Sequence, residues 1–262
     1  MKKTGIMTDS HSGILQSEAD ELGIGVLPMP FCIDEKLYRE GVDISREEFY
    51  DRLRKGVDVS TSQPSPEEVM KMWDTMLEQY EELVYIPISS GLSGSCMTAQ
   101  AMAQDEPYAG KVFVVDNGRV STPMHRSVLD AVELADKGYS AEKIKKILED
   151  NRENMVIYVG LSTVSYLKKG GRISSVAAVA ADVLNIKPVM KFGVGKLDVY
   201  QKCRGIKNAR KAMIDAIKKE FATTFKDAYE AGKVYLMAAS SSTEEVTREW
   251  VAQIKENFPG LD

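Results

Sequence analysis

The chain reads as an α/β protein in two domains: a parallel three-layer α/β/α unit, then a smaller α/β domain with a mixed sheet. Three observations predict this. From Gly5 to Asn151, short apolar β-rich runs alternate with helix-forming stretches, the pattern of a mainly parallel sheet with helices on both faces. After Asn151 the alternation gives way to a hairpin signal, Lys187–Phe192 and Lys196–Tyr200 around Gly193-Val194-Gly195. The length, 262 residues, suits one large or two small domains. The boundary is expected near residue 152, giving domains 1–152 and 153–262.

Taken in order, Gly5–Thr8 is a first strand ending at Asp9-Ser10-His11-Ser12-Gly13, and a helix follows to about Leu22. Ile24–Ile33 and Lys36–Arg39 flank Asp34-Glu35 and read as a hairpin. Ser45 opens a helix to Lys55, with Glu48 three residues on. Thr61 lies in a loop ahead of Ser65, which caps a helix to Gln79; Pro66 takes its first position and Glu68 completes a capping box. Leu83–Ile88 is a buried strand, Ser89-Ser90-Gly91 its turn, and Cys96–Asp105 the next helix. Lys111–Val115 is another strand, closed by Asp116-Asn117-Gly118. Helices follow over Val120–Lys137 and Ala141–Asn151, the second opened by Ser140.

In the second domain Met155–Gly160 is a strand, and Val164–Lys169 a short helix broken by Gly170-Gly171. Ala177–Leu184 is small and apolar. Lys207–Glu220 is a helix and Val234–Ala239 a strand. Thr243–Asn257 is a helix with half a capping box, since Val246 stands where the acid would be. With no linker-like stretch, the two domains are expected to pack closely and leave a cleft between them.

Composition narrows the function. Hydrophobic residues make up 44% and charged residues 28%, as in soluble globular proteins. The 34 basic and 39 acidic residues leave a net −5, which argues against a nucleic-acid or anionic-membrane surface. Cys32, Cys96 and Cys203 are scattered without metal-ligand spacing, which points to a reducing compartment. No apolar run is long enough to span a bilayer. Met1–Gly5 leads directly into a strand rather than a signal peptide, so a cytoplasmic protein is expected. The two histidines, His11 and His125, leave little material for metal or triad chemistry. No cofactor and no metal site are expected.

The stretch Ile88–Ser95, I-S-S-G-L-S-G-S, joins a strand to a helix through a glycine-serine turn. The first amides of a helix have no partner within it, and with the positive end of the helix dipole they suit a phosphate or carboxylate. The same spacing also suits an ordinary turn whose serines cap the helix. Thr61 and Ser62, in T-S-Q-P-S, precede a cap and are spare donors. In an open parallel sheet, ligands sit beyond the carboxyl ends of the strands. The turns at Asp9-Ser10, Thr61-Ser62, Ser89–Ser93 and Asp116 are all expected at that edge.

Thr61–Ser65 (T-S-Q-P-S), I-S-S-G-L-S-G-S, Tyr166–Ser174 (Y-L-K-K-G-G-R-I-S), Ile186–Leu197 (I-K-P-V-M-K-F-G-V-G-K-L) and Thr8-Asp9-Ser10 appear in an order that resembles the DegV family of bacterial fatty-acid-binding proteins. The resemblance runs over nearly the whole chain. It implies that a fatty-acid carboxylate is held by Thr61, Ser62, Ser93 and the amide of Gly94, with Ser90 a further candidate hydroxyl in the same turn, while the acyl chain runs into the apolar interior between the domains. It also implies that the protein is a carrier, not an enzyme. Its partner would be a fatty acid kinase that phosphorylates the carboxylate, docking on the basic loop of Lys168, Lys169 and Arg172. Ala177–Ile186 and the 13 methionines would be natural lining, since Met adapts to flexible apolar ligands; methionines are also ordinary core residues.

Three departures from the family stand out. It usually has a histidine near the end of the strand expected at Val234–Ala239, where this chain has Ala238-Ala239-Ser240-Ser241. A glycine-bearing stretch after the Asp116 turn is here Ser121-Thr122-Pro123-Met124-His125. The final strand and glycine-rich segment are missing after Pro259-Gly260-Leu261-Asp262, so the second domain reads as cut short.

Two enzyme readings compete. Gly91-Leu92-Ser93-Gly94 resembles part of a G-x-S-x-G nucleophile elbow, but its second glycine falls one place early and a serine hydrolase needs a base beside it. The alternative function is a phosphoryl carrier using His11. Mannose-type sugar phosphotransferase domains, of the same broad fold group, carry a phosphorylated histidine after their first strand.

Overall fold

A computed structural model describes residues 2–172, 186–194 and 196–261. The chain divides into two units, Met1–Glu153 and Asn154–Asp262. In order, the first unit contains β1 (Lys2–Asp9), a 3-10 turn (Ser10–Ser12), α1 (Gln16–Leu22), β2 (Gly25–Leu27), β3 (Pro30–Ile33), β4 (Lys36–Arg39), α2 (Arg46–Arg54) and β5 (Val59–Thr61). Then come α3 (Pro66–Leu77), β6 (Tyr80–Ile86), α4 (Ser95–Met102), β7 (Val112–Val114), α5 (Ser121–Asp136) and α6 (Ala141–Asp150).

Four of these strands form a parallel sheet in the order β2-β1-β6-β7. Their side chains alternate between two cores, as a pleat requires. Ile6, Val26, Val84 and Ile86 face Ala19 of α1, Met124 and Val128 of α5, and Ile144 and Leu148 of α6. Met7, Leu27, Leu83 and Tyr85 face Val69, Trp73 and Met76 of α3 and Cys96 and Ala99 of α4. The result is the expected three-layer α/β/α arrangement. Met7, Met76 and Met124 are core residues of these two clusters, so much of the methionine in this unit packs the sheet.

A second sheet, β4-β3-β5, is antiparallel. Asp34 (φ 47°) and Glu35 (φ 66°) turn the β3–β4 hairpin, the left-handed pair of a type I′ connection. Two expectations change here. Ile24–Ile33 is not one strand: Pro28 and Pro30 remove ladder donors, so β2 joins the parallel sheet and β3 the antiparallel one. Thr61 is not in a loop. Val59 and Thr61 are β-branched and favour extended backbone, and Thr61 ends β5 opposite Phe31.

The caps explain the helix starts. The Ser65 hydroxyl accepts from the Glu68 amide while Glu68 accepts from the Ser65 amide, a complete capping box. Ser45 and Ser140 accept from the amides of Glu48 and Lys143.

The second unit contains β8 (Ile157–Gly160), α7 (Ser165–Lys169), β9 (Ile186–Gly193), β10 (Lys196–Arg204), α8 (Ile206–Ala222), α9 (Lys226–Glu230) and α10 (Glu244–Asn257). Ala209 and Ala212 of α8 bring its backbone close to Val189 and Cys203 of the sheet. Glu220, at the end of α8, is buried; it pairs with Lys191 at 2.8 Å and accepts from the Tyr158 hydroxyl at 2.7 Å. Burial alone would raise its pKa, but hydrogen bonds from Lys191, Thr224 and Tyr158 hold it below the ordinary carboxylate value.

Here too the structure corrects the expectation. The sheet, in the order β10-β9-β8, is antiparallel throughout among the described residues, not mixed. The expected strand Val234–Ala239 is in no ladder with the described residues, and Tyr235 within it is 64% exposed. A β-rich sequence becomes a strand only where a neighbour takes up its amides and carbonyls. Thr243 stands at the N-cap of α10 without a side-chain capping bond. The nearby Ser240 hydroxyl accepts instead from the Ser242 amide (3.2 Å) and the Thr247 hydroxyl (3.0 Å). Ala177–Leu184 lies outside the described residues.

Candidate functional site

The order β2-β1-β6-β7 fixes where a ligand can sit. From β1 the chain crosses through α1 to β2 on one face; from β6 it crosses through α4 to β7 on the other. The loops leaving β1 and β6 therefore diverge and open a crevice at the carboxyl ends of these two strands.

Polar side chains bind the crevice walls together. The Thr8 hydroxyl donates to the Ile86 carbonyl at 2.8 Å. The fully buried carboxylate of Asp9 accepts from the Ile88 amide at 2.8 Å, and from the His11 amide and His11 Nδ1 at 2.9 Å each. Ser10 donates to Glu40 at 2.6 Å and accepts from the Met29 amide at 3.1 Å, tying β1 to the antiparallel sheet. Thr8-Asp9-Ser10 is thus a latch: the Thr8 and Ser10 hydroxyl protons are committed within it, and the Asp9 carboxylate offers an anion no donor.

The turn after β6 is held from the next strand. Asp116, beyond β7, accepts from the Ser90 hydroxyl at 2.6 Å and from the Ser90 amide at 3.3 Å. The Ser90 proton is therefore committed to Asp116. Ser93 differs: its hydroxyl accepts from the Ser95 amide at 3.2 Å, which leaves its own proton to donate. Gly94 is the N-cap of α4 and has no side chain to cap with. The amides of Gly94, Cys96 and Met97 have no protein acceptor among the described residues. The hydroxyl of Ser95 is buried and has no hydrogen-bond partner among the described residues. A donor sealed from water without an acceptor costs about 1–3 kcal/mol, so an acceptor brought to the head of α4 relieves a real deficit.

The T-S-Q-P-S segment lies against the same helix through a residue that the sequence reading passed over. Gln63 Oε1 is 3.5 Å from the Thr98 hydroxyl of α4, and 3.2 Å from where a Cβ at Gly94 would stand. Thr61 and Ser62, two and one residues before Gln63, are both exposed. Sequence reasoning also missed Ser95, treated as part of the turn, and the roles of Asp9 and Asp116. The signal for the last two was their place at strand ends among hydroxyl residues.

Lys168 and Lys169 close α7, and Arg172 follows Gly171 in its left-handed turn (φ 70°), with its guanidinium donating to the Gly170 carbonyl. All three are exposed and belong to the second unit. That unit also has a groove of about 460 Å³ between β10 and α8, flanked by Lys202, Arg204, Lys211 and Lys219. Its basic lining is not what an acyl chain selects.

Neutral donors dominate the α4 terminus. Burial first, and the charge of Asp116 second, push the Cys96 thiol up to about 12, so it stays protonated and is a poor nucleophile. No cluster of three or more His, Cys, Asp or Glu suited to a metal occurs among the described residues. No helix among them is long and apolar enough to cross a membrane.

The family model for "uncharacterised protein, DegV family" matches residues 3–262. The chain belongs to the DegV family. A DegV domain-containing protein of Caldanaerobacter subterraneus subsp. tengcongensis is 33% identical over 218 residues, 83% of this chain and 78% of that protein. The solved structure of a DegV family protein from Thermus thermophilus, described by its fatty acid binding, superposes with a TM-score of 0.74 at 32% identity, covering 83% of this chain and 77% of that one. A fatty acid binding DegV family protein from Streptococcus agalactiae gives 0.73 at 27% identity, covering 85% and 80%. The α/β DegV fold expected from the motifs is the fold observed, with an antiparallel rather than a mixed sheet in the second unit.

Proposed function

We propose that this protein binds a long-chain fatty acid, with the carboxylate at the amino terminus of α4. The observation that carries the reading is the set of unused donors there: the buried Ser95 hydroxyl and the amides of Gly94, Cys96 and Met97. Ser93 adds a hydroxyl proton, and Thr61 and Ser62 add theirs from the end of β5 and the residue after it. A carboxylate is ionised at neutral pH and gains most from several donors. Ser90 supports the turn rather than touching the ligand, because its proton goes to Asp116. The fatty-acid-binding relatives from Thermus and Streptococcus support the ligand class.

Affinity comes from the chain and orientation from the head group. About fifteen methylenes at roughly 0.8 kcal/mol each offer roughly 12 kcal/mol before ordering costs. A ring of neutral donors holds a carboxylate without transforming it, so the protein acts as a carrier. On this reading it is a cytoplasmic protein that presents the carboxylate to a fatty acid kinase for acyl-phosphate formation, with Lys168, Lys169 and Arg172 as the docking surface. Denaturing mass spectrometry of protein purified from a bacterial host is expected to release fatty acid. An empty protein that takes up neither palmitate nor oleate would overturn the proposal. For the kinase, charge reversal at Lys168 and Lys169 is expected to slow acyl-phosphate formation while palmitate affinity holds; an unchanged rate rejects that docking surface.

A further inference from the structure

The geometry points to Asp116 as the positioning residue of the head-group turn: through Ser90 it sets the conformation of Gly91–Ser95 and so aims the α4 donors. Asp116 does not face the α4 terminus with a donor, and as a carboxylate it would repel a bound one, so its contribution acts through its neighbours. One oxygen accepts from the Ser90 hydroxyl at 2.6 Å; the other accepts from the amides of Ser90 (3.3 Å) and Gly118 (3.4 Å).

Asp116 is itself held on two further sides. Its own amide donates to Glu149 Oε1 at 3.1 Å, and Glu149 is paired with Lys145, whose Nζ also donates to the Val114 carbonyl at 2.6 Å. The Arg152 guanidinium stands 3.7 Å from Asp116 Oδ2. From the other side of the turn, the buried Ser89 amide donates to the Arg119 carbonyl at 2.9 Å and the Ser89 hydroxyl accepts from the Gly91 amide at 3.2 Å. The β7 loop thereby grips the β6 loop at two successive residues, Ser89 and Ser90. Leu92 and Ser93 then fold back on the Ser89 carbonyl, at 3.0 and 3.2 Å, and deliver Gly94 to the head of α4. A serine hydroxyl donating to a carboxylate is a charge-assisted bond, the strongest single contact in this turn.

The test rests on the proposed fatty-acid site for one arm only. Palmitate affinity is measured for delipidated wild type, Asp116→Ala, Asp116→Asn, Ser90→Ala and the Asp116→Ala/Ser90→Ala pair. Amide hydrogen exchange over Gly91–Ser95 is measured on the same proteins without ligand. Asp116→Ala is expected to weaken palmitate binding about tenfold and to speed exchange at Gly91–Ser95. Asp116→Asn, which keeps an acceptor for Ser90, is expected to restore affinity to within a few fold. The pair is expected to lose no more than the worse single variant, because both remove one interaction. Unchanged exchange in Asp116→Ala, or losses that multiply to about a hundredfold in the pair, would overturn the inference. If Asp116→Ala fails to fold, Asp116→Asn and Ser90→Ala carry the comparison: both leave exchange slow only if the contact is unimportant. Wild type that binds no palmitate sinks the proposed function, and the exchange arm still decides the role of Asp116.

Discussion

Replacing Asp9 by alanine should unlatch the crevice between β1 and β6, and the cost can be worked from the contacts. Three donors lose their acceptor: the Ile88 amide at 2.8 Å, the His11 amide at 2.9 Å and His11 Nδ1 at 2.9 Å. The Ile88 amide is buried and stays unsatisfied, at about 1–3 kcal/mol. His11 is partly exposed, so its two donors can turn to water and lose about 0.5–1.5 kcal/mol each. Together the loss is about 2–6 kcal/mol. Asp9→Asn should fall lower in that range: its amide offers one acceptor and one NH₂, and whichever way it turns the NH₂ opposes a donor. The assay is urea unfolding followed by the fluorescence of Trp73, which is fully buried in the first unit, in a Trp250→Phe background that leaves it the sole tryptophan. A shift in midpoint at constant slope reports stability. A loss below about 1 kcal/mol for Asp9→Ala would show that Asp9 does not hold the two strand ends together.

Other substitutions test separate parts of the account. Gly5→Ala places a Cβ 2.7 Å from Tyr80 Cγ; the ring must swing and strain its hydroxyl bond to the Gly23 carbonyl (2.9 Å), so a loss of about 1–3 kcal/mol is expected by thermal or urea unfolding. Glu220→Gln should destabilise the second unit by about 1–2 kcal/mol at pH 7, a figure kept low because Lys191 is 43% exposed. Because the folded-state pKa of Glu220 is depressed, its stabilisation is present above the ordinary carboxylate value of 4.5 and fades as pH falls through the lower folded value. The gap between wild type and Glu220→Gln should therefore close below about pH 4.5; a gap that widens there would reverse the sign of the argument. His11→Ala and His125→Ala should leave palmitate affinity nearly unchanged in a titration, since His125 donates to Glu18 at 2.8 Å and His11 to Asp9, and neither is part of the proposed head-group contacts.

Where local chemistry decides a feature, the sequence shows it. The Ser65–Glu68 capping box, the turn at Asp34-Glu35 and the buried strand through Leu83–Ile86 depend on residues within a few positions of each other, and each formed, although the first arm of the hairpin is only Pro30–Ile33. The family motifs carried the fold of the whole chain because they are spread over both units, from the end of β1 to the β9–β10 hairpin. What stayed illegible depends on partners far along the chain. Val234–Ala239 has a strand's composition, but a ladder needs a neighbour that composition does not reveal. Thr61 reads as a loop until Phe31 is seen opposite it. Ser90 and Ser93 are indistinguishable as hydroxyls in S-S-G-L-S; only the position of Asp116, 26 residues away, separates the supporting serine from the one with a proton to give. Gln63 was hidden for the same reason, since its contact is with Thr98.

The central claim is that a fatty-acid carboxylate sits between the end of β5 and the head of α4. Isothermal titration of delipidated protein with palmitate addresses it most directly, using wild type, Thr61→Ala, Ser93→Ala and the double variant. Each lost hydrogen bond to a charged group costs roughly 1.5–3 kcal/mol, so each single variant should bind about tenfold or more weakly and the double variant more weakly still. Equal affinity for wild type and the double variant would show that the carboxylate is held elsewhere.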